Sequence, residues 1–185
     1  MIVIKFGGTS VGNAERIKKS AEIIKSRLER KPVVVVSAVA KMTDALIRLA
    51  KAASEGQGDE IFEEIKKTHY EIINELGIDK NILETDFAEL SNYVGNMRVE
   101  KQINDAALDI FQSFGERMSS KIFAAHLSSI GLEAKPFNSW ELGLITTPDF
   151  GNAEPIEKSY KSMKDKISKL SIIPVITGFI GKAEK

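Results

Sequence analysis

The sequence predicts an α/β fold on a mainly parallel sheet, and three observations carry that prediction. Three short runs rich in β-branched residues, "IVIKF", "VVVVSA" and "IIPVITGFIG", read as buried strands. Stretches with helical spacing separate them, in the strand–helix–strand–helix rhythm of parallel sheets. The runs also end at glycine or hydroxyl residues, Gly7-Gly8, Ser37 and Gly181, as strands do before loops.

In chain order, "IVIKF" comes first, and Gly7-Gly8 ends it. "GNAERIKKSAEIIKSRLERK" follows with Ile17, Ala21, Ile24 and Leu28 on one helical face, and Pro32 stops it. "VVVVSA" is the second strand. In "TDALIRLAKAAS", Thr43 is positioned to cap a helix with Asp44 in its first turn. The segment at about 60–129 is mostly helical by pattern, with turns expected near Gly95 and Gly115. "LEAKPFNSWELGLITTPDFGNAEP" reads as short strands and loops, and "KSYKSMKDKISKL" as a basic amphipathic helix. Pro174 implies that the last strand starts late or carries an irregularity.

A chain of 185 residues suits one domain or one large lobe. With 43% hydrophobic and 28% charged residues, neither disorder nor a membrane protein is indicated. Lys+Arg and Asp+Glu balance at 26 each, which argues against nucleic acid as a partner while leaving room for a local anion site. The absence of cysteine removes disulfides, thiolate nucleophiles and cysteine-ligated zinc. His69 and His126 lack metal-ligand spacing and read as ordinary helix residues, so no metal ligands are assigned. The amino terminus does not read as a signal peptide, and no apolar stretch nears the roughly 20 residues of a membrane span. The expectation is a cytoplasmic protein without a membrane partner.

Chemistry concentrates where strands end. In an open parallel sheet, ligands sit at the strands' carboxyl ends. Lys5 lies near one such end, and Gly7 and Gly8 let backbone amides approach a phosphate at the start of the following helix. Thr9 and Ser10 add hydroxyls, and Lys5 adds a mobile point charge. The other reading is a plain strand–turn–helix whose lysine reaches solvent. The string is neither GxxxxGK[ST] nor GxGxxG. Ser37 and Thr43 sit at the second strand's end, either binding a small polar ligand or serving as turn and cap. In "SFGERMSS", Glu116 and Arg117 stand within an apolar helix. Either they join an internal ion pair or Glu116 faces a cleft and receives an ammonium group.

Together, "KFGGTSV", "VVVVSAVAKMTDAL", "SFGERMSS" and "VITGFIG" resemble, in order and spacing, the aspartate kinases of the amino acid kinase superfamily. The resemblance implies a three-layer α/β/α amino acid kinase fold and transfer of phosphate from ATP, with Mg²⁺, to the side-chain carboxylate of L-aspartate. The product, 4-phospho-L-aspartate, leads to lysine, threonine and methionine. Carried over by motif, Lys5 is the catalytic residue, and Lys5, Gly7, Gly8, Thr9 and Ser10 bind the phosphates. Ser37, Thr43, Glu116 and Phe179 line the substrate pocket, with Glu116 accepting the α-ammonium. A carboxylate nucleophile is already ionised at neutral pH, so no general base is required. Val39, Ala40 and Met42 depart from the family's second motif.

The family's Gly-Arg-Gly-Gly-Ser-Asp string, nucleotide-binding lobe and regulatory domains have no counterpart here. Residues 1–185 are therefore expected to form the amino-terminal, substrate-binding lobe. Such a lobe is expected to be inactive alone, with weak or absent ATP binding. A homo-oligomer is open, and exposed apolar edges on the "IIPVITGFIG" strand would fit either a truncated lobe or a separate partner chain. The alternatives are a stand-alone amino-acid- or anion-binding module and a superfamily kinase acting on another acceptor.

Overall fold

Parallel strands need crossover connections, and here helices supply them. The computed structural model describes residues 1–183. The elements are β1 (Ile2–Phe6), α1 (Ala14–Lys25), β2 (Pro32–Val36), α2 (Met42–Ser54), α3 (Asp59–Leu76), α4 (Glu84–Glu100) and α5 (Asp105–Ser129). Then come β3 (Ala134–Phe137), β4 (Ile145–Thr146), α6 (Glu157–Ile167), β5 (Ile173–Thr177) and β6 (Lys182–Ala183). The main sheet is fully parallel with strand order β1-β2-β5-β3, and β4 and β6 form a separate parallel pair.

Strand alternation divides the apolar side chains between two layers of cover. Phe6, Val34, Val36 and Val175 enter the large core with α1, α2 and α5. Val33 and Ile176 face the other way, where Leu142 closes a small cluster with Ile167 and Leu170 against it. The α/β/α layering is present but unequal. Helices α3, α4 and α5 hold the segment 59–129, matching the helical block expected from pattern.

The structure corrects several expectations about elements. "IVIKF" is an edge strand rather than a buried one. By register, Val3 and Lys5 share a face with Val33 and Val35, yet lie beyond that face's cover, and Val3 is 64% exposed. The apolar "IIPVITGFIG" strand presents no edge, because β5 lies between β2 and β3. Its ladder with β2 begins at Val175, which accommodates Pro174. Gly95 and Gly115 sit inside α4 and α5 instead of at turns. Gly115 is required by packing: a Cβ there would lie 2.7 Å from the Ala38 Cβ. Nothing in the structure explains the glycine at 95.

Candidate active site

The four motifs meet at the carboxyl ends of β1, β2 and β5, around residues 36–40. Ser37 N–H donates to the Phe6 carbonyl at 3.0 Å, and Gly178 N–H donates to the Val36 carbonyl at 2.8 Å. A Cβ on Gly8 would come within 2.8 Å of the Ala38 carbonyl oxygen, so only glycine lets these two loops touch. From the helical side, Glu116 Oε1 accepts the Ala38 N–H at 3.1 Å. Segments far apart in sequence thus converge on one short loop.

Between β1 and α1 lies a 3-10 turn, Gly8–Val11, so α1 does not begin at the glycines as expected. Asn13 caps α1 by accepting the Arg16 N–H at 2.9 Å. The segment expected to bind an anion therefore folds as a 3-10 turn rather than as the start of α1. Its Thr9 and Ser10 carbonyls are tied back by Arg16 and Ser20. Its first amides, at Gly8 and Thr9, have no acceptor within it. Lys5 is exposed and makes no hydrogen bond or ion pair among the described residues.

Thr43 is not a cap. Lys41, in the left-handed region at φ 66°, precedes α2, and Thr43 is half-buried in the first turn. Its hydroxyl is spared the capping duty assigned from sequence, but Thr43 joins the rim only by its place in that turn. On the far side, Ile180 N–H donates to the Gly178 carbonyl at 2.7 Å, a three-residue turn centred on Phe179. Phe179 has φ 61°, the rarer and more strained hand for such a turn, and is 88% exposed.

Charge is distributed unevenly here. Glu116 is 4% exposed and has no cationic partner among the described residues. Burial pushes its carboxyl above the ordinary range, and the Ala38 N–H offsets part of that rise. Arg117, the next residue, turns to α4 and pairs with Asp86 and Glu89, so the expected internal ion pair exists without Glu116.

The structure brings Gly8, Ser37, Glu116 and the turn at Phe179 together around the 36–40 loop, with Thr9 and Ser10 on the adjoining 3-10 turn; Gly7 and Lys5 stand at the end of β1, Lys5 on the Val33–Val35 face of the sheet. Sequence reasoning missed the Ala38 amide. It also missed a cavity of about 490 Å³ beside Phe179, between α5 and the loop at 146–154. Gln112, Ser113, Trp140, Phe150, Phe179 and Ile180 line it; Lys5 and Glu116 do not. The turn-rich "TTPDFGNAEP" was the available signal. Among the described residues no cluster of three or more His, Asp or Glu side chains placed to hold a metal occurs.

Comparison with known proteins decides the family. The sequence matches the Amino acid kinase family over residues 1–185. The chain belongs to that family. It is 37% identical over 192 residues to the chloroplastic aspartokinase 1 of Arabidopsis thaliana, covering 99% of this chain and 34% of that protein. Against aspartokinase 3 of Bacillus subtilis the identity is 29%, over 98% of this chain and 40% of that protein. Among solved structures, Escherichia coli aspartokinase III in complex with aspartate and ADP superposes with a TM-score of 0.84 at 25% identity. That match covers all of this chain and 42% of the other. Clostridium acetobutylicum aspartate kinase gives 0.77 at 27% identity, over 98% of this chain and 39% of that one. The chain thus spans about a third to two fifths of the length of these relatives.

Proposed function

We propose that residues 1–185 form the amino-terminal, substrate-binding lobe of an aspartate kinase. The observation that carries this reading is Glu116, a buried carboxylate with no counter-charge among the described residues, set against the same loop as the strand end bearing Lys5, which likewise has no partner among them. Leaving a buried carboxylate unpaired is costly, and a ligand's ammonium group offsets that cost. A ligand with an ammonium at one end and anionic oxygens at the other matches this charge pattern. L-Aspartate accepting a phosphoryl group is such a ligand, and the aspartokinase relatives favour it.

In the proposed reaction an oxygen of the aspartate side-chain carboxylate attacks the γ-phosphorus of Mg-ATP. The P–O bond to the β-phosphate breaks, giving 4-phospho-L-aspartate and ADP with no proton transferred. This chain's residues position and neutralise. Lys5 offsets charge on the transferring group, and the Gly7, Gly8, Thr9 and Ser10 turn donates to phosphate oxygens. Ser37 and Thr43 orient the substrate carboxylate, Glu116 holds the ammonium, and Phe179 borders the pocket. Mg²⁺ arrives with the nucleotide as part of the substrate. Amino-acid biosynthesis towards lysine, threonine and methionine is the process this activity serves. The cytoplasm is the compartment we favour, while the Arabidopsis relatives are named chloroplastic. No described helix is long and apolar enough to cross a membrane.

Isothermal titration with L-aspartate and, separately, Mg-ATP tests the reading. L-Aspartate is expected to bind and to lose that binding in Glu116→Ala, with Lys5→Ala affecting only the phosphate ligand. Aspartate heats unchanged by Glu116→Ala would contradict the assignment.

A further inference from the structure

Helix α5 buries Phe111, Phe114, Gly115, Met118, Ser119, Ile122 and Phe123 on one broad face, while Ser113, Arg117 and Lys121 form a half-buried stripe beside it. An apolar face that broad brings α5 to the core but sets its rotation about its own axis only coarsely. Yet the site depends on that rotation, because Glu116 must face Ala38. Successive residues on a helix diverge by about 100°, so Glu116 and Arg117 face different neighbours.

We propose that Arg117 is a positioning residue: its ion pairs with Asp86 and Glu89 on α4, joined by Lys121, lock the rotation of α5 that aims Glu116 at the 36–40 loop. Arg117 Nη1 donates to Glu89 Oε1 at 3.2 Å, and its Nη2 contacts Glu89 Oε2 and, at 3.3 Å, Asp86 Oδ1. Lys121, one turn further along α5, bonds Asp86 Oδ2. The carboxylates are three residues apart on α4 and the cations four apart on α5, so each pair shares a helix face. The guanidinium also lies 4.3 Å over the Phe114 ring. Rotating α5 by one residue would turn Glu116 towards two carboxylates and Arg117 away from both. The α4–α5 contact therefore rejects the wrong rotation as well as favouring the right one. Gly115 adds the steric half of the lock, since only hydrogen fits against Ala38.

This inference rests on the reading of Glu116 given above, but its test needs no ligand. In the 185-residue chain, NMR would follow hydrogen exchange at the Ala38 amide and the Glu116 carboxyl carbon through a pH titration. In Arg117→Leu, the Ala38 amide should exchange about tenfold faster, the worth of its bond to a charged acceptor. The amides of Val34 and Val36 in β2 should hold, and Glu116 should titrate lower, in the ordinary carboxylate range. Arg117→Lys should restore part of both signals. A folded Arg117→Leu protein with both signals unchanged would overturn the proposal, as would equal acceleration at Ala38, Val34 and Val36. Should Arg117→Leu not fold, Glu89→Gln should shift both signals in the same direction, and its silence would equally overturn it. If the signals move while L-aspartate affinity does not, the lock stands and the ligand role of Glu116 falls.

Discussion

Glu116 and Arg117 are neighbours in the chain and opposites in the structure. Arg117 belongs to the helical block, where Asp86, wholly buried, meets two cations and Glu89 takes up the rest of the guanidinium. Glu116 belongs to the rim, where a nearly buried carboxylate has one backbone N–H and no cation among the described residues. In one region charge is balanced within the protein. In the other, Lys5 at the end of β1 and Glu116 against the 36–40 loop carry opposite charges with no ion-pair partner among the described residues. On the proposed reading, that difference separates groups that hold the fold from groups that meet a ligand.

The largest expected effect lies on the balanced side. Asp86→Ala leaves Arg117 and Lys121 facing each other without their shared anion, and should cost about 3–5 kcal/mol in urea unfolding. A loss under about 1 kcal/mol, the worth of a surface pair, would break the contrast between the two regions.

His69 sharpens the same contrast. It is fully buried, Nδ1 meets the Ile65 carbonyl at 2.8 Å, and burial lowers its pKa to about 4. The neutral form is therefore favoured in the fold. Stability from this residue is fully present above the ordinary histidine pKa of ~6.5 and is lost as pH falls through about 4. Over that window the loss should reach about 3 kcal/mol, and His69→Leu should flatten it. An acid limb unchanged in His69→Leu would assign the loss to other groups.

Much of this architecture was legible in the sequence because its signals are local. β2, β5 and the helices α1 to α3 follow from periodicity and composition, and the glycine motifs marked the rim. What was not legible depended on distant neighbours. An apolar run does not say whether its strand lies at an edge, so β1 and β5 read alike as buried although only β5 is interior. Gly115 resembled a turn because its reason, Ala38, lies far off in the chain. Asp86 in "ETDFAEL" carries no local signal of burial, and only packing against α5 buries it. Thr43 had the right residue type for a cap, yet Lys41 took the preceding position in a left-handed conformation.

The smallest stability change is attached to the most direct test. Burial raises the Glu116 carboxyl pKa, so its stabilising contribution is complete below the ordinary carboxylate range near ~4 and is lost as pH rises through the raised folded value. Glu116→Gln removes that loss while keeping an oxygen for the Ala38 N–H. The measurement is chemical denaturation at neutral pH and L-aspartate titration on the same Glu116→Gln preparation. A raised denaturation midpoint together with lost aspartate binding is the predicted result: the charge costs stability and serves a ligand. A lowered midpoint with binding intact would contradict the account, placing Glu116 among the groups that hold the fold.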